Sequence, residues 1–115
     1  MDTQDRKALE EIKKASVDEA VKIMMYESTH VISSGLFCDM DKICIKRNNP
    51  VLSYKLARYV PGVDFDAHQK IVINSCNAVL MNAFATYVNG ADKAKIEKAI
   101  NENCSLLEQI VIGLH

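Results

Sequence analysis

The chain has 115 residues, 14 Lys and Arg against 15 Asp and Glu, a net charge of −1 and 49% hydrophobic residues. That length supports one domain with a core of its own, without metal or disulfide staples. The charge balance excludes a protein that holds nucleic acid by bulk electrostatics, and the scarcity of aromatics (no Trp, three Phe, four Tyr) disfavours a base-stacking platform.

The opening stretch, Met1 to Lys14, is charged from its second residue and lacks the apolar run of a secretory signal. Thr3 to Lys14 reads as a helix with a thin apolar stripe, Ala8, Leu9 and Ile12, carried on by Ala15; such a helix belongs on the outside of a bundle. "SVDE" at Ser16 to Glu19 has capping-box spacing. A second helix is expected from Val17 to about Ser33, with Val17, Val21, Met24, Val31 and Ile32 on one side. Its stripe is rotated by roughly a quarter turn from that of the first helix, so the chain breaks near Ser16. "SSG" at Ser33 to Gly35 ends it.

Leu36 to Asn48 is ambiguous. Ile43 to Ile45 suits a short strand or an irregular loop, and Asp39 to Lys46 suits a short helix. Asn49 then offers an N-cap and Pro50 a first helical residue, where its missing N–H costs nothing, predicting a helix over Pro50 to Tyr59 stopped by "VPG". Asp64 or Asp66 caps the next helix, which the pattern carries through to Val88 and the "NG" turn. After Gly90 a C-terminal helix, antiparallel to the last, is marked by Ile96, Ile100, Leu107, Ile110, Val111 and Leu114. The fold expected is all-α: a single-domain bundle of five or six helices with a long central apolar helix.

That central segment contains 18 residues without a charge, Ile71 to Val88, yet three asparagines lie within it. As a membrane span it would be short, with amides in need of partners. On one continuous helical wheel Asn77, Met81 and Asn82 fall within about 80° on either side of Asn74. This charge-free face is suited to contact with a second protein, or with another copy of the chain, without the cost of burying charge.

Two further groups carry chemistry. Lys46, Arg47, Lys55 and Arg58, interleaved with Tyr54 and Tyr59, form a basic edge suited to an acidic protein patch or, as an alternative, to a phosphate backbone. Cys38 and Cys44, with His30 nearby in sequence, are the candidates for a thiol or metal sensor, but C-x₅-C is looser than a zinc knuckle. His68 lies two turns from Cys76, too far for a hydrogen bond along one straight helix. Without an export signal the four cysteines read as reduced thiols in the cytosol. Glycine-rich phosphate loops, nucleophile elbows and HExxH are absent, so neither catalysis nor a cofactor is expected. The reading that follows is a small cytosolic interaction module of the inhibitor or immunity-protein kind, or an assembly subunit. It is expected to work through Asn74, Asn77, Met81 and Asn82 and through Lys46, Arg47, Lys55 and Arg58.

Overall fold

A computed structural model describes residues 3–29 and 34–104. Every regular element among them is helical. Seven α-helices run in chain order: α1 Thr3–Lys14, α2 Val17–Thr29, α3 Ser34–Arg47, α4 Pro50–Tyr59, α5 Phe65–Asn74, α6 Ala78–Tyr87 and α7 Lys93–Ala99, the last continuing into a π-helical turn, Ile100–Cys104. The all-α expectation holds, and the helix count exceeds the five or six read from sequence.

Local chemistry accounts for the boundaries. The Ser16 hydroxyl accepts the Glu19 N–H, separating α1 from α2 as the capping pattern required. Asn49 accepts from the N–H groups of Val51 and Leu52, with Pro50 in the first turn of α4. Asp64, rather than Asp66, caps α5, and Asp92 caps α7. The ambiguous stretch is resolved as helix: α3 is one 14-residue helix through Cys38, Ile43 and Cys44. The part of α2 expected beyond Thr29 lies outside the described residues, as do Leu107, Ile110, Val111 and Leu114 of the expected C-terminal helix.

The long central helix is not formed. α5 ends at Asn74, Cys76 adopts a left-handed φ of 52°, and the Asn77 side chain accepts the Leu80 N–H to begin α6. A left-handed residue followed by an asparagine cap is a helix stop joined to a helix start. The shared wheel on which the amides lay side by side therefore does not exist across Ser75 to Asn77.

The centre of the molecule is instead the ten-residue α4. One apolar cluster joins Ile12, Ala15, Ala20, Val21, Met24, Met40 and Cys44 to Leu52, Leu56 and Val60. A second joins Tyr54 to Val72, Ile73, Met81, Phe84, Val88, Ile96 and Ala99. α4 contributes to both, and Ser53, fully buried, lies in sequence between Leu52 of one and Tyr54 of the other.

Candidate functional site

Two features of α4 carry polar chemistry: a buried hydrogen-bonded chain, and an exposed surface of cations and aromatics.

The buried chain links α3, α4 and α5. His68, on the same face of α5 as Val72 one turn on, turns inward with it. Its Nε2 lies 2.6 Å from Asp41 Oδ1 and its Nδ1 2.9 Å from Ser53 Oγ. Asp41 Oδ2 accepts the Asp64 N–H at 2.7 Å. A carboxylate only accepts, so Asp41 places the ring proton on Nε2, and in the neutral ring Nδ1 accepts from the Ser53 hydroxyl. Among the described residues no buried side-chain nitrogen or oxygen lacks a partner.

Serine, histidine and aspartate in one chain invite comparison with a hydrolytic triad. In that template serine pairs with Nε2 and aspartate with Nδ1; here the two nitrogens are exchanged. Ser53 and His68 are each 0% exposed, so no substrate reaches the hydroxyl. A cleft of about 200 Å³ reaches Asp41, but its other lining residues, among them Cys38, Lys42 and Asp64, include neither Ser53 nor His68. The arrangement is a polar clamp between three helices. Sequence reading considered His68 only as a base for Cys76. The signal that could have found its role was its position four residues before Val72 on the apolar stripe of α5.

On the outer side of α4, the Arg58 guanidinium lies 4.9 Å from the ring centre of Tyr59, 4.7 Å from that of Tyr87 and 5.9 Å from that of Tyr54. It also donates to Tyr54 Oη at 3.0 Å. Tyr54 belongs to the core, whereas Tyr59 and Tyr87 are 47% and 59% exposed. Next to this group, a groove of about 460 Å³ between α2 and α4 is lined by Val21, Met25 and Tyr59, with Asp18, Lys22 and Lys55. Lys55 Nζ lies 2.8 Å from Asp18 Oδ1. That hydrogen bond and the accompanying charge hold the Asp18 carboxyl below its usual range, with Lys22 adding a smaller pull.

The predicted site residues divide accordingly. Lys55 and Arg58 belong to this surface of α4. Lys46 is exposed on α3. Arg47 turns inward and donates to the Ile12 carbonyl at 3.0 Å, satisfying an open acceptor in the last turn of α1. It is a tie between helices, not part of a basic edge. Asn74 and Asn82 are exposed; Asn77 is exposed too, but its side chain is the cap of α6. Met81 is fully buried in the second core, so it presents nothing to a partner. The exposed side of α6 carries Val79, 82% exposed, with Asn82 and Thr86. Sequence reading missed Tyr87 and Met25 because only the packing of α6 and α2 against α4 brings them beside Arg58 and Lys55.

Cys38 and Cys44 both lie on α3, six residues apart and so about 9 Å along the axis, beyond the reach of a disulfide in an intact helix. Cys38 is exposed and Cys44 is buried. Burial, and secondarily the Asp41 charge, push the Cys44 thiol up to about 12, which keeps it protonated and unreactive. Among the described residues no three His, Cys, Asp or Glu side chains group as metal ligands; His30 lies outside those residues. No helix among the described residues is long and apolar enough to cross a membrane. No protein-family model, no curated protein and no solved structure matches the chain.

Proposed function

We propose that the chain is a protein-interaction module, of the inhibitor or assembly-subunit kind, that acts in the cytosol by binding and not by catalysis. The observation that carries this reading is the Arg58 cluster. Tyrosine and arginine are the residue types in which binding energy concentrates at protein interfaces. An exposed ring normally loses rotamer freedom on binding; stacking against Arg58 already restricts Tyr59 and Tyr87, so less ordering is left for a partner to impose. Support for the non-catalytic part comes from the burial of Ser53, which closes the Ser–His–Asp chain to substrate. The free thiols of Cys38 and Cys44 accord with a reducing compartment.

The test is affinity capture from host lysate with quantitative mass spectrometry, using the native chain, Arg58→Glu and Tyr87→Ala. Both substitutions lie on the exposed surface, so the thermal midpoint should stay within a few degrees of the native value. Specific partners should be lost from both variants. An unchanged set of captured proteins with both variants, or no specific capture by the native chain, overturns the proposal.

A further inference from the structure

The groove between α2 and α4 has the composition of a peptide seat, and its chemistry selects one kind of occupant. We propose that it binds an acidic amphipathic helix of a partner protein, its apolar side chains against Val21, Met25 and Tyr59 and its carboxylates on Lys22 and Lys55; this rests on the interaction reading above. Three observations converge on it. The groove is an open hollow of about 460 Å³, accessible to side chains of a partner. Met25 and Tyr59 are each more than two-fifths exposed although they flank the packed Val21, which leaves apolar surface open at the floor. The lining charges are two lysines against one aspartate, and Arg58 lies over the ring of Tyr59 at one end. The cations outnumber the one carboxylate in the lining, so an acidic helix complements the surface. A phosphate backbone would find an apolar floor and a carboxylate where it needs cations alone.

The Asp18–Lys55 pair gives the proposal a distinctive signature. Asp18 is the intramolecular competitor for Lys55, occupying at 2.8 Å the position that a partner carboxylate would take. Neutralising Asp18 should therefore strengthen binding, the opposite of what loss of a structural ion pair would do.

The experiment pans a random 16-residue peptide library displayed on phage against the full chain, then measures the enriched peptides by fluorescence anisotropy. Enrichment should favour Asp and Glu together with apolar residues three and four apart. Lys22→Glu combined with Lys55→Glu should weaken the selected peptides by about tenfold or more. Asp18→Asn should tighten them by about two- to fivefold. Basic or uncharged winners, no enrichment, indifference to the double variant, or weakening by Asp18→Asn would each overturn the groove assignment. So would a random-sequence oligonucleotide that binds the native chain and loses affinity in the double variant. Should the lysate partners that Arg58→Glu loses be retained by Lys22→Glu/Lys55→Glu, the groove proposal falls while the wider reading stands. Should Arg58→Glu and Tyr87→Ala lose no partner, the wider reading falls by itself.

Discussion

Asp41 shows how much a single side chain can be asked to do. One of its oxygens faces His68 and the other accepts the Asp64 N–H, so the carboxylate serves a ring on α5 and the backbone N–H of that helix's own cap residue. Removing a buried acceptor leaves its donors unsatisfied, at about 1–3 kcal/mol for each group. Asp41→Ala should therefore destabilise by about 3 kcal/mol or more. Ser53→Ala, which removes one partner of the His68 ring, should cost about 1–2 kcal/mol. Urea denaturation of the two variants tests that order; a Ser53→Ala cost equal to or larger than that of Asp41→Ala would refute the account. Cys44 supplies a second residue-scale expectation. Burial, with the Asp41 charge second, pushes its thiol up to about 12 from the ordinary value of 9.0 that the unfolded chain approaches. Folding then retains a proton that the unfolded chain releases, so the contribution of this thiol to stability is full below pH 9 and declines as pH rises from 9 towards 12. The stability advantage of the native chain over Cys44→Ala should shrink across that window. Maleimide at pH 8 should label Cys38 in the folded protein and leave Cys44 unmodified, as peptide mass mapping would show.

At the scale of elements, the informative place is the junction of α5 and α6. Asn77 and Asn82 are both exposed amides, but only Asn77 accepts a helix N–H there. Loss of an N-cap typically costs about 1 kcal/mol. Asn77→Ala should lower stability by about that amount, Asn77→Asp should preserve it, and Asn82→Ala should change little. Equal effects at 77 and 82 in thermal melts would contradict the assignment. The junction also shows where sequence legibility stopped. Caps with strong local chemistry could be read directly: Ser16 and Asn49 with Pro50 begin helices where the pattern places them, and Asp64 is one of the two aspartates it offers for α5. "NSCN" was harder, because an apolar run on either side keeps helical periodicity while a left-handed backbone at Cys76 resets the rotation. Wheel arithmetic assumes one axis, and asparagine is as much a cap residue as a surface residue. The same assumption puts Met81 on the amide face, whereas it is buried in the second apolar cluster. Arg47 illustrates a different limit. Its type and neighbours suggested a basic edge, and only the packing of α1 on α3 reveals the carbonyl it serves. Lys55 and Arg58, by contrast, lie three residues apart on one short, well-capped helix, so their neighbourhood follows from spacing alone.

For the whole molecule, the arrangement of two apolar clusters around α4 makes one strong statement about cooperativity. Leu56 belongs to the first cluster, and Tyr54, two residues earlier, to the second. Neither cluster can lose α4 without exposing the other. A buried Leu→Ala change costs about 2–5 kcal/mol. Leu56→Ala should speed amide hydrogen exchange in α6 as well as in α2, because exchange in both would proceed through a shared opening. Acceleration confined to α2 would mean that the clusters open separately.

The grouping of aromatic residues has one further consequence. The chain has no tryptophan and four tyrosines, and three of them, Tyr54, Tyr59 and Tyr87, surround the same guanidinium. Its near-ultraviolet absorbance and circular dichroism are consequently weighted towards one patch of α4 and α6. A ligand that lifts Arg58 from those rings would announce itself optically, with no dye attached and no residue replaced.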